Sequence, residues 1–131
     1  MMAAKDTFQT RVEVPFKNNA QFTETFLLTR VPDDKQLEIQ VIAGTTSLPS
    51  GQQVIDATVT TETGGHRVSF DIMPGPAQNF TPGSSITTFF QPLILYADGG
   101  TEVTISLIRN ATAGDSDGSL VSLSGFFRPQ P

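Results

Sequence analysis

An antiparallel β-sandwich of about eight or nine strands, of jelly-roll or Greek-key type, is the fold this sequence predicts, with a closed β-barrel as the alternative. Three observations point there. Apolar residues recur at every second position in segment after segment, as one face of a strand requires. Turn-forming Gly, Pro, Asn and Asp separate those segments. Charged residues are only 16% of the chain, against 11 Gly and 9 Pro, a balance that fits a turn-rich β-fold better than a helical bundle or a disordered tail.

The clearest stretch runs from Ile86 to Asn110. Val103, Ile105 and Leu107 alternate with Glu102, Thr104 and Ser106, so one set faces a core and the other faces out. Asp98-Gly99-Gly100 supplies residues that accept positive φ, which predicts a tight hairpin pairing Leu93–Ala97 with Thr101–Ile108. Upstream, Phe8, Val12 and Val14 alternate with Gln9, Arg11 and Glu13 in a strand that Pro15 ends. A second strand spans 22–31, where the continuous run Phe26-Leu27-Leu28 predicts burial on both faces. Pro32 suits the second position of the following turn. Leu37, Ile39, Val41 and Ala43 then alternate with Glu38 and Gln40. Leu37 and Val41 also stand four apart, as on a helix capped by Asp33, but the β-branched residues and the period of two favour a strand.

Gly44–Gln53 reads as a loop. Val54–Thr61 is a strand, Glu62-Thr63-Gly64-Gly65 a turn, and Val68, Phe70 and Ile72 mark the next strand. Met73–Ser85 is too rich in Pro and Gly for regular structure. The 111–118 segment is a loop, and the last strand carries Val121, Leu123, Gly125, Phe126 and Phe127. One template occurs three times: Gly65, Gly100 and Gly118 each precede, after two spacers, Val-(Ser/Thr)-apolar. The intervals, 35 and 18 residues, exclude a solenoid, leaving a glycine turn that feeds a strand in a set register.

At 131 residues the chain is expected to be one domain, 1–131, with a core that needs no staples. It has no cysteine, which excludes disulfides and thiolate metal sites. The N-terminus shows no apolar leader and no stretch long enough for a membrane span, so the cytoplasm is the default compartment and no membrane partner is expected. A net charge of −5, with its eight basic residues scattered, lacks the basic stripe of a nucleic-acid binder.

The chemistry-bearing residues are sparse. His66 is the sole histidine and is assigned no role, since catalytic and zinc sites draw on several such ligands. Asp56, Asp71, Glu24 and Glu38 each fit solvent-facing strand positions, and no nucleophile elbow or phosphate loop is present. The chain is therefore expected not to be an enzyme. Asn79 and Asn110 head formal glycosylation sequons that matter only in a secretory pathway. Asp115-Ser116-Asp117-Gly118 has the carboxylate spacing of part of a calcium loop, but Ser124 stands where an EF-hand needs glutamate. Calcium is the sole cofactor candidate, with Asp115, Asp117 and Asp98 as ligands and Glu62 as the alternative from a neighbouring turn, and a solvated turn is the preferred reading. Asn79 and Phe80, in the long Pro-Gly segment, are the candidate small-ligand contacts.

The aromatics are ten Phe and one Tyr with no Trp, a poor inventory for stacking sugars. More apolar residues occur than the inner faces of two sheets need. Leu27, Phe89, Ile94, Tyr96 and Phe127 are the expected outward set, and a homo-oligomer is the expected way to cover them. The expected function is a non-enzymatic structural or assembly subunit, a self-associating β-sandwich of virion, tail or appendage type. The alternative is a binding module whose ligand, a small molecule, glycan or calcium ion, sits on the end loops.

Overall fold

A computed structural model describes residues 6–14, 23–49, 52–75, 78–81, 84–110 and 119–131. They form β1 (Asp6–Glu13), β2 (Thr23–Arg30), β3 (Lys35–Pro49), β4 (Val54–Thr63), β5 (His66–Ile72), β6 (Gln78–Thr81), β7 (Ser84–Ala97), β8 (Glu102–Arg109) and β9 (Leu120–Pro129). Two antiparallel sheets face one another: β1-β9-β3-β7-β6 and β2-β8-β4-β5. The pairs β1–β9, β2–β8, β3–β7 and β4–β5 are nested one inside the next. Nesting of this kind is a long antiparallel ribbon folded over on itself, the jelly-roll connectivity, with two open sheets in place of a closed barrel.

The alternation read from sequence sets the inner faces. Val103, Ile105 and Leu107 of β8, Val121 and Leu123 of β9, and Ala57 and Val59 of β4 are buried in one core with Leu37, Ile39 and Ile42 of β3. Phe8 and Val12 of β1 pack against it, and Phe8 meets Phe127 edge-on with ring centroids 5.0 Å apart. In β3 the buried face changes phase, passing from Leu37 and Ile39 to Ile42, where the register shifts between Ile39 and Val41 against both β7 and β9. A bulge of this kind inserts an unpaired residue and turns the strand. Gly125 sits opposite Ile39 there, and a Cβ on it would meet the Glu38 carbonyl oxygen at 1.9 Å.

Several local expectations are corrected. Leu93–Ala97 and Thr101–Ile108 do not pair: β7 belongs to the five-stranded sheet and β8 to the other, so the Asp98–Gly100 turn crosses between sheets. The period of two assigns a face to each strand and leaves its partner open. Gly44–Pro49 is strand, because the long β7 pairs with β3 as far as Pro49 and draws its polar stretch into the ladder, while β9 pairs only as far as Thr45. Gln78–Thr81 pairs with β7 and Ser84 and Ser85 already belong to β7, inside the segment expected to be irregular. Phe26-Leu27-Leu28 is not buried on both faces. Leu28 is in the core at the bulge of β2, and Leu27 is half exposed on the outer face. Pro32 occupies the first position of its turn, accepting a bond from the Lys35 N–H at 3.1 Å.

Gly44 shows how tightly the interior is fitted. It pairs with Phe89, whose ring covers it so closely that a Cβ would stand 2.3 Å from Phe89 Cζ. Gly44→Ala is therefore expected to destabilise the chain by about 1–3 kcal/mol, the usual effect of overpacking. Phe89→Leu, which shortens the covering side chain, should relieve part of that clash. The cost in the double variant should then be less than the sum, measured from urea midpoints in a double-mutant cycle.

Candidate functional site

The outer face of the five-stranded sheet carries the most unusual surface of the described residues. On β7, Phe90, Pro92 and Ile94 point outward in succession, and Phe90 and Ile94 are 69% and 66% exposed. The neighbouring β3 sets Ala43 beside Phe90 and Val41 beside Pro92, and β9 sets Ser122 and Ser124 beyond them. An apolar ridge thus borders a floor of small side chains, closed on the far side by Gln9 and Arg11 of β1 around a shallow cavity of about 400 Å³. One end of the ridge is polar. There the Arg128 guanidinium lies 4.5 Å over the Tyr96 ring, an attractive stacking of cation on π-face. Its Nε donates to Gln36 Oε1 at 2.7 Å, and Glu38 lies 3.9 Å away.

The five residues expected at an oligomer contact do not share this surface. Ile94 and Tyr96 lie on it. Leu27 faces out from the other sheet. Phe89 points into the core, 5% exposed, and Phe127 packs against the core beside Phe8, so neither is outward-facing. In each Phe pair the other ring occupies the outer side, Phe90 on β7 and Phe126 on β9, because Gly44 receives Phe89 and Phe8 receives Phe127. Adjacent positions in a strand must face opposite ways, but which ring goes inward depends on the partner strand. Of the acids assigned to solvent, Asp56, Asp71 and Glu38 lie on outer faces. Glu24 instead pairs with buried Leu107 and takes the inward register, half-buried.

The calcium candidates divide. Asp115 and Asp117 lie outside the described residues, as do the side chains of Asn79 and Phe80, whose backbone belongs to β6. Asp98 is occupied by protein donors. Gly64 N–H donates to Oδ2 at 2.7 Å and Gln36 Nε2 to Oδ1 at 2.9 Å. The Gly64 bond first, then that of Gln36, holds its carboxyl below the ordinary Asp range. Among the described residues no group of three or more His, Cys, Asp or Glu could hold a metal ion. No helix there is long and apolar enough to cross a membrane.

The outer face of the four-stranded sheet is different in kind. Thr25, Thr60, Thr104 and Ser106 floor a groove of about 540 Å³ whose edge carries Arg30, Glu62, Arg67 and Glu102. Its hydroxyls bond one another in cross-strand pairs, Thr25 to Ser106 at 2.7 Å and Thr60 to Ser69 at 3.0 Å. Sequence reading missed Arg109, which is fully buried, with its guanidinium 3.4 Å from Gln52 Oε1. The signal was present, since the same period that buries Val103, Ile105 and Leu107 reaches Arg109 next.

The Asp98 bonds carry a pH signature. Its folded pKa lies below the ordinary Asp value of 3.8, so its contribution is present above that value and is lost as pH falls through the folded one. Asp98→Asn should lower the melting temperature at neutral pH, and the gap to the unsubstituted chain should close as the medium is acidified below about pH 4. Melting curves across that range check both points. The chain matches no protein-family model, and a search of curated proteins returned no match.

Proposed function

We propose that this chain is a structural subunit that self-associates through the outer face of its five-stranded sheet, a building block of the kind used in virions, tails or appendages. The observation that carries this reading is the ridge of Phe90, Pro92 and Ile94, with Phe90 69% and Ile94 66% exposed. Removing each large apolar side chain from water is worth about 1.5–3 kcal/mol. A jelly-roll sandwich is a recurrent scaffold for assembly, although fold alone never assigns a role. A second copy suits this face because an apolar ridge beside a small-residue floor is self-complementary under a two-fold axis: the ridge of one copy fills the floor of the other.

Size-exclusion chromatography with light scattering tests the reading. The unsubstituted chain should run at a multiple of 14.1 kDa, and Phe90→Glu with Ile94→Glu should lower that mass. Neither residue contributes to the buried core, so the double variant should keep the melting temperature of the isolated chain. A single species at 14.1 kDa across the micromolar range, with no substitution, would overturn the proposal.

A further inference from the structure

The outer edge of β5 is unpaired among the described residues. β5 ends the four-stranded sheet, and no described strand lies beyond it. Backbone groups on an antiparallel strand point alternately to either side, so half of those on β5 are turned to this open edge. Its inner-face residues are only partly covered: Val68 is 42% exposed and Phe70 39%.

The other sheet edges carry features that discourage pairing. β6 has four residues, β2 is interrupted by a bulge, and β1 begins with a charge, Asp6, in the inward register of Phe8 and Val12. Short length, bulges and charge are the usual means of blunting an edge. β5 runs seven residues, His66–Ile72, against β4 with no break in register. It has no proline, no lysine and no inward-pointing charge. It is also one of the three strands built on the glycine-Val-(Ser/Thr)-apolar template. The other two, β8 and β9, are each paired on both sides. β5 has the composition of a central strand and the position of an edge.

We propose that β5 pairs antiparallel with β5 of a second copy, about a two-fold axis through Ser69, joining two four-stranded sheets into one. The register follows from the sequence. An axis at Ser69 sets Arg67 of each copy opposite Asp71 of the other on the outer face. It sets Val68 opposite Phe70 on the inner face, where each covers the other's exposed surface. Opposite charges and aromatic–β-branched neighbours are the favourable cross-strand pairs. Arg67 is available for this: it makes no ion pair within the described residues, although Glu62 is its register partner on β4. Asp71 accepts a bond from Thr58 Oγ1 at 3.0 Å on one oxygen, which leaves its second oxygen to receive a guanidinium. Shifting the axis by one residue, to Val68 or to Phe70, loses both charge pairs.

The contact shares with the proposed assembly role only the premise that copies of the chain meet, and its test separates the two. The chain has no cysteine, so introduced thiols report position cleanly. Directly opposed residues in an antiparallel pair have Cα atoms roughly 4.5–5.5 Å apart, within disulfide range. In the Phe90→Glu, Ile94→Glu background, which removes the other face, Ser69→Cys should oxidise to a disulfide-linked dimer. Arg67→Cys lies opposite Asp71 instead of itself and should remain a single chain. Without thiols, Arg67→Asp should abolish edge dimerisation in the same background, and Arg67→Asp with Asp71→Arg should restore it. Equal crosslinking at positions 67 and 69, no crosslinking at 69, or failure of the charge swap to restore the dimer would each overturn the edge pairing. The face contact is judged separately, in the Arg67→Asp chain, whose mass should stay above that of one chain and fall to it when Phe90→Glu and Ile94→Glu are added. If Arg67→Asp does not fold, the two cysteine variants decide alone.

Discussion

The four residues Asp98 to Thr101 hold the sandwich together at one end, and the arrangement of the strands depends on them. Here the chain leaves β7 in one sheet and enters β8 in the other. Gly100 N–H donates to the Val31 carbonyl and Val31 N–H to the Thr101 carbonyl, each at 2.9 Å, which fastens the segment before β3. Asp98 N–H reaches Glu62 O at 2.9 Å, while the carboxylate holds Gly64 and Gln36. Gly99 N–H donates to Gln130 Oε1 at 2.6 Å, bringing in the end of β9. A side chain on Gly99 would stand 2.3 Å from the Asp33 carbonyl oxygen, so the turn is close-fitted as well as bonded. Backbone groups from both sheets are satisfied within one small region, as buried and half-buried polar groups require.

That turn also marks the boundary between what was legible in the sequence and what was not. Asp98-Gly99-Gly100 announced a turn, and Gly100 does adopt φ +78°. The alternation that follows it correctly assigned the buried face of β8. Nothing local distinguished a hairpin from a crossing between sheets, because strand partners are chosen by the whole set of faces competing for one core. Gly44–Pro49 was obscure for the same reason: a polar, glycine-containing run becomes strand when a distant strand, here β7, pairs along it. The Phe pairs were legible as pairs but not in phase, since the choice between Phe89 and Phe90 is made by Gly44 on a strand more than forty residues away. Of the candidate surface, Ile94 and Tyr96 were found and Phe90 was not. Arg109 shows the opposite failure, in which a charged residue hid a period that was plain in its neighbours.

The two outer faces answer the problem of an exposed sheet in different ways. On the four-stranded sheet, Thr and Ser hydroxyls pair across strands, so the surface is satisfied without a partner. On the five-stranded sheet, Phe90, Pro92 and Ile94 have no such internal solution. Tyr96 is the instructive exception, because Arg128 folds over its ring and is itself held by Gln36. The chain covers an outward aromatic where a long cation is within reach. Beside Phe90 and Pro92 the neighbours are Ala43, Val41, Ser122 and Ser124, which are too short to do so.

Symmetry limits what such a molecule can build. A two-fold contact closes on itself, so pairing at β5 alone, or at the face of β7 alone, stops at two copies. A chain with both contacts carries two distinct two-fold axes, and the product is set by how they meet. Axes that intersect at right angles close into a tetramer of dihedral symmetry, whereas parallel or skew axes propagate without end. β7 and β4 pack against each other across the sandwich and β5 is the next strand out from β4, so both contacts lie toward the same lateral side of the molecule. Because each contact has its own two-fold axis, each copy would engage two others. For a structural subunit that geometry is productive: the edge contact lengthens a sheet, the face contact stacks one sheet on another, and neither uses the core that keeps the single chain folded.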